Sequence, residues 1–210
     1  METLDSKLLV FAPLRLERAA VCRVLPGARV VRCGMGPVRA RRAAAHSGPA
    51  RAVAVVGLCG AVDPGLRTGD VIVASEVRGP QGTVRCATAG LVEALRAGGV
   101  ERVVVGPIAS SRHVVYGPRR RALASLGVLA ADMESVWLAA AAGTAPFAVL
   151  RVVLDAPAGE VRRPLAALAA MPRAWLALRR AAPALALWAA SVTGEGAVSA
   201  PRAAAPPGLD

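Results

Sequence analysis

Lysine, histidine and aromatic residues are scarce in this chain, and each scarcity removes a class of function. Lys7 is the only lysine, so the net charge of +12 comes almost wholly from arginine. Aromatic residues make up 3%, which leaves no stacking platform of the kind that single-stranded nucleic acid needs. The arginines are spread along the sequence, with local clusters only at 39–42 and 119–121. They read as a solvated basic surface, and nucleic acid is not expected as a partner. His46 and His113 are the only histidines, and Cys22, Cys33, Cys59 and Cys86 show no CxxC spacing. No metal site is therefore expected, and the cysteines read as small buried hydrophobes. Also missing is any run of about 20 apolar residues of the kind that spans a membrane. The start, METLDSKLLVFAP, has acidic residues where a signal peptide carries a basic region. A cytoplasmic, reduced protein with at most peripheral membrane contact is expected. Neither GxGxxG nor GxxxxGK[ST] occurs around the central glycines, so neither phosphate-loop fingerprint is present.

What is there is alanine, valine, leucine, arginine and glycine, in 210 residues that suffice for one large core. Residues 51–76 organise the rest. The apolar run 52–56 is rich in β-branched residues and predicts a strand buried on both faces, ending at Gly57. Gly57, Gly60 and Gly65, with Asp63-Pro64, then predict tight turns where backbone can approach a ligand. A further strand is predicted at 71–74. Around this centre, strands are predicted at 8–12, 28–33, 102–105, 128–130 and 147–154, with 108–115 either strand or loop. Helices are predicted from Pro13 to about Arg23, from Pro37 to about Ser47, at 91–97 and 119–126, and from an Asp132 N-cap through Ala142. Strands alternating with helices imply an α/β fold, three layers about a central mixed sheet. Residues 1–193 read as one domain. Within it, 165–171 and 173–192 are Ala/Leu helices broken at Pro172 and Pro183, carrying Trp175 and Trp188. They pack on the sheet or a partner chain, or form an apolar lid over a greasy substrate. Residues 194–210, without periodicity, are expected to be a disordered tail.

Chemistry gathers at the strand ends: Arg15 and Glu17, the loop 34–36, residues 58–61, Met133-Glu134, and Asp155 after an apolar strand interrupted by Arg151. Such edges are where α/β proteins place ligands.

Four stretches carry a resemblance to a known family. GLCGAVDPGLRTGDVIV resembles the central signature of the nucleoside phosphorylase and nucleosidase superfamily. CGMGP resembles its ribose-side glycine loop, ADMES its Met-Glu sugar clamp, and LRVVLD its strand ending in the catalytic aspartate. They occur in the family's order at compatible spacings across residues 8–156. The length and the helical C-terminus look most like the hopanoid-associated phosphorylases, which act on adenosylhopane. The resemblance implies a nucleoside phosphorylase-like fold and cleavage of the N-glycosidic bond of a purine, adenosine-type nucleoside. It implies phosphorolysis releasing adenine, with inorganic phosphate as co-substrate, no further cofactor, a homo-oligomer, and a substrate that carries an apolar 5′ group. Alternatives are a hydrolytic methylthioadenosine/S-adenosylhomocysteine nucleosidase and a catalytically silent nucleoside-binding protein.

By the same resemblance, Asp155 is the acid that protonates the departing base, kept neutral by burial. Glu134 clamps the ribose hydroxyls, with Met133, Met35, Gly36, Cys59 and Gly60 around the substrate. Arg15 and Gly57 grip phosphate, or Glu17 orients water. The chain departs from the phosphorylase pattern at Leu58, where serine or threonine is usual, and at Val55 and Val56, near which many carry an arginine. It departs again at Leu154, where serine usually precedes the acid. Leu58 and Leu154 make the expected pocket more apolar.

Overall fold

The computed structural model describes residues 6–156 and 164–194. The predicted tail, from 195 onward, lies outside the described residues. Eight strands and seven helices follow in the order β1 (Ser6–Ala12), α1 (Arg15–Val24), β2 (Arg29–Arg32), α2 (Pro37–Ala45), β3 (Ala50–Ala61), β4 (Val71–Gly79), β5 (Gly82–Arg85), α3 (Leu91–Ala97), β6 (Val103–Ser110), α4 (Gly117–Ser125), β7 (Ala130–Asp132), α5 (Ser135–Leu138), β8 (Phe147–Asp155), α6 (Pro164–Ala181) and α7 (Ala184–Val192). A 3-10 turn, Ala139–Ala141, extends α5.

The sheet is mixed. β1 lies parallel between β2 and β3. β8 pairs in parallel with β3 and antiparallel with β4. β6 runs parallel to both β4 and β7, and β7 closes antiparallel onto β3. Five strands therefore form a closed ring, β3–β8–β4–β6–β7, with β2 and β5 as the outer edges. Period-two alternation along the buried strands supplies two cores, which is why these strands read as continuous apolar runs. Leu8, Val10, Ala54, Val56, Leu150 and Val152 face α1, α3, α6 and α7. Leu9, Phe11, Val53, Val55 and Val149 face α2 and α5.

Several expectations are corrected here. The central strand does not stop at Gly57 but continues to Ala61. A Cβ on Gly57 would lie 2.8 Å from both Arg151 Nη1 and Glu17 Oε1, and one on Gly60 would lie 3.0 Å from Asp155 Oδ1. These glycines make room for side chains crossing the strand, not for a turn. β4 outruns its predicted four residues and folds back as a hairpin into β5, which hydropathy does not mark because β5 is largely exposed. β6 continues through Pro107 to Ser110. The third-layer helix is short. Asp132 ends β7, Glu134 holds the N-cap position, and only four residues are α-helical before the 3-10 turn. α6 runs unbroken through Pro172, because buried Ala174, Leu178 and Ala181 anchor it to the core and outweigh one missing backbone bond.

Candidate active site

The carboxyl ends of β1, β3, β7 and β8 converge on a cavity of about 230 Å³. β1 leads through Pro13 into α1, whose first turn carries Glu17 inward. Glu17 Oε2 accepts the Leu14 N–H at 2.6 Å, the return half of a capping box, and Oε1 accepts the Leu58 N–H at 2.7 Å. Burial raises its pKa, against the lowering effect of those two bonds and of nearby Arg151.

Glu134 enters from the far side. Its Oε1 accepts the Gly36 N–H at 2.9 Å and its Oε2 the Met133 N–H at 3.3 Å. Gly36 can present that N–H because it sits at φ 88°, a conformation glycine adopts without strain. Burial lifts Glu134 to about 7, outweighing the pull of Arg151.

Arg151 ties this side together. It projects from β8 and is wholly buried. Its Nη2 donates to Asp132 Oδ2 at 2.6 Å and Ser135 Oγ at 3.0 Å, and stands 3.6 Å from Glu134 Oε2. Asp132 in turn accepts Ser110 Oγ at 2.6 Å, the Ser135 hydroxyl, and the Glu134 and Ser135 N–H groups. A fully buried guanidinium is tolerable only with such carboxylate partners, and here they raise its pKa further despite burial. The arrangement locks the loop that carries Met133 and Glu134 to the strand that carries Asp155.

Asp155 closes β8. The β3–β8 register shifts between Cys59 and Gly60, so Gly60 sits beside Asp155. Bulges of this kind re-aim side chains near sites. The carboxylate is not enclosed by apolar groups alone, as expected from sequence. Arg120 of α4 donates from Nη2 to its Oδ2 at 2.5 Å, with side-chain exposures of 6% for the arginine and 17% for the aspartate.

The structure brings together Glu17, Met35, Cys59, Gly60, Met133, Glu134 and Asp155, all of which line the cavity. Gly36 contributes its N–H to Glu134, and Gly57 lies behind the lining, at the Glu17–Arg151 contact. Arg15 is exposed at the start of α1 and does not line the cavity. Among the described residues, none of α6 or α7 does either; Trp188 is fully buried in the core, and Trp175 stacks with the Arg179 guanidinium 4.8 Å from its ring centroid. The described part of these helices thus follows the first expectation, packing on the sheet. Burial pushes the Cys33 thiol up to about 12 and Cys59 higher still, so neither is a ready nucleophile. Among the described residues, no group of three His, Cys, Asp or Glu side chains could hold a metal ion.

Arg120, Arg151, Asp132 and His113, which also lines the cavity, were not expected at the site from sequence. A lone arginine inside the apolar run 149–154 is itself a signal, since it demands buried acidic partners. Arg120 is hidden in a run of three arginines that reads as solvated surface, of which only the middle member is buried.

Known proteins match this chain by fold and by family. No curated protein sequence matches. Among solved structures, the 5′-methylthioadenosine/S-adenosylhomocysteine nucleosidase of Neisseria meningitidis, in complex with methylthio-immucillin-A, superposes with a TM-score of 0.71 at 18% identity, over 86% of this chain and 98% of its own. A Colwellia psychrerythraea nucleosidase of the same kind, in complex with adenine, gives 0.72 at 20% identity over 89% and 97%. Futalosine hydrolase of Helicobacter pylori gives 0.73 at 15% identity over 88% and 99%. At such identities the likeness is one of fold. The family is carried by sequence: the model of the phosphorylase superfamily matches residues 22–184, and the chain belongs to that superfamily.

Proposed function

We propose that this protein cleaves the N-glycosidic bond of a purine nucleoside, with water as the acceptor. One observation carries the reading: three carboxylates enter a single cavity from three directions, and β3 spaces two of them. Glu17 lies against Gly57 and Asp155 against Gly60. Three strand residues span about 10 Å, room for a ribose and its base between them. In that frame the C1′–N9 bond breaks with its electron pair leaving on the base. Asp155, at the base end, supplies a proton to a purine-ring nitrogen of the departing base, which takes up the negative charge left by the bond. Glu134, at the glycine loop, accepts the ribose hydroxyls and favours the electron-poor sugar. Glu17, at the opposite end, orients water, takes its proton and directs it to C1′.

The exposed position of Arg15 removes the expected phosphate grip and favours hydrolysis over the phosphorolysis implied by sequence resemblance. The structural neighbours, named as nucleosidases and a hydrolase, support the same choice. An apolar 5′ group, such as that of adenosylhopane, is supported by Leu58 and Leu154 in the lining and by exposed Met35 and Val114 at the mouth. Those exposed residues, with Val38 and Tyr116, also suit a second copy of the chain. The test is base release from purine ribosides with and without phosphate, identifying the sugar product. Release of free ribose independent of phosphate is expected. Ribose 1-phosphate as product overturns the hydrolytic reading, and no base release from any riboside overturns the enzyme reading.

A further inference from the structure

The end of β8, from which Asp155 enters the cavity, is held by the turn that opens β4. The β3–β8 register runs from Cys59↔Val153 to Gly60↔Asp155, so Leu154 has no register partner on β3. Residues 67–70 approach it from the other side. The Asp70 N–H donates to Arg67 O at 3.0 Å, and Gly69 lies at φ 91°. This is a hydrogen-bonded turn with Thr68 second and a left-handed residue third, which glycine supplies without strain. The turn is fixed from both ends. Asp70, 2% exposed, accepts the Arg67 N–H at 2.9 Å and two donors of Arg102, at 2.6 and 2.9 Å. The Gly69 N–H donates to Val153 O at 2.8 Å, and the Val153 N–H donates to Asp70 O at 2.9 Å. From this frame the Thr68 hydroxyl donates to Leu154 O at 3.0 Å.

We propose that Thr68 is a positioning residue for Asp155, acting through the peptide group that joins Leu154 to it. Thr68 takes this role within the N-glycosidic reading of the cavity, on which the inference rests. Leu154 O and the Asp155 N–H belong to one planar peptide unit. A donor that fixes the carbonyl therefore fixes the plane from which the Asp155 side chain departs. The bulge makes such a donor necessary, because it takes Leu154 out of register with β3 just before the acid. Leu154 brings no polar side-chain atom to the task; the hydroxyl comes instead from the neighbouring turn. Thr68 does not line the cavity, so it meets neither base nor sugar. Its influence reaches the reaction only through where Asp155 stands, and a misplacement of about 1 Å can cost about a hundredfold in rate. Loss of the hydroxyl is therefore felt in turnover and not in substrate binding.

Thr68→Val keeps the shape of the side chain and removes the donor, whereas Thr68→Ser keeps the donor and removes the methyl group. Base release from a purine riboside is measured on the full-length protein with each variant, alone and combined with Asp155→Asn. Thr68→Val is expected to lower kcat about tenfold or more while KM stays within about twofold of wild type. Thr68→Ser should recover most of that loss. In the Asp155→Asn background, Thr68→Val should change the remaining rate by less than about twofold, because a residue acting through the acid then has nothing left to position. Thr68→Ala carries the same comparisons if Thr68→Val does not fold. An unchanged kcat overturns the inference, and so does a loss that appears in KM or persists undiminished in the Asp155→Asn background, since a merely structural turn gives that pattern. A wild type that releases no base from any riboside ends the N-glycosidic reading and the inference together, an outcome distinct from an active enzyme indifferent to Thr68.

Discussion

At the scale of single residues, the site works by placing carboxylates where burial and backbone donors govern them. In the proposed reaction, Asp155 is the residue on which bond cleavage depends most directly. Positioned proton transfer contributes about a hundredfold to ten-thousandfold, so Asp155→Asn should cut turnover by at least the lower figure while the far-ultraviolet dichroism of the fold remains. Near-normal turnover would remove Asp155 from its role. Glu134 makes a prediction in pH. Burial raises its folded-state pKa to about 7, above an unfolded value of about 4.3. Between those values the folded protein holds a proton that the unfolded chain releases. Stability from this group is therefore present in full at low pH and is lost as pH rises through 7, by about 1.4 kcal/mol per unit across that window. Glu134→Gln should flatten the decline, measured as unfolding midpoint against pH. Activity should move the other way, rising through the same range as the carboxylate proposed to receive the ribose ionises. Loss of Arg151 is costly to the fold. Arg151→Met would leave Asp132 and Glu134 buried without their cation, and breaking such a network costs about 3–5 kcal/mol, to be read by denaturant unfolding.

At the scale of elements, strand β3 organises the site. Its apolar half was legible from composition, because burial on both faces leaves a run such as 52–56. Its second half was misread as turns. Glycine reports a need for space but not what fills the space, and here it is Arg151, Glu17, Arg120 and Asp155. Gly57→Ala tests this: with buried Arg151 Nη1 and the hydrogen-bonded Glu17 Oε1 each 2.8 Å from the new methyl, overpacking should cost about 1–3 kcal/mol and disturb the Glu17–Leu58 bond. Stability equal to wild type would show that the crossing side chains yield easily. The carboxylates at the ends of β1, β7 and β8 were legible because strand ends are where side chains turn toward ligands. Arg120 was not, because a helix face inside a basic run carries no periodic mark of which member is buried. Asp132 could be read as a cap and still accepts two backbone N–H groups, but its larger task, facing Arg151, depends on a contact between β7 and β8 that sequence order does not reveal.

At the scale of the whole molecule, the C-terminal helices belong to the core. Trp188 is fully buried among residues of β1, β3 and α3, so Trp188→Ala should cost about 3–5 kcal/mol and leave base preference unchanged, a pairing of results that a lid could not give. The closed ring has a consequence in time. β8 pairs with both β3 and β4, strands made long before it, so during synthesis at roughly 5–20 residues per second those two wait for several seconds with open edges. The outer strands of the sheet, β2 and β5, are four residues long and end in arginine, which discourages pairing between nascent chains there. The strand that at last fills the gap also delivers Arg151 and Asp155. A chain cut short before residue 147 therefore lacks at one stroke the proposed acid and the keystone of its sheet, because both arrive in the same nine residues.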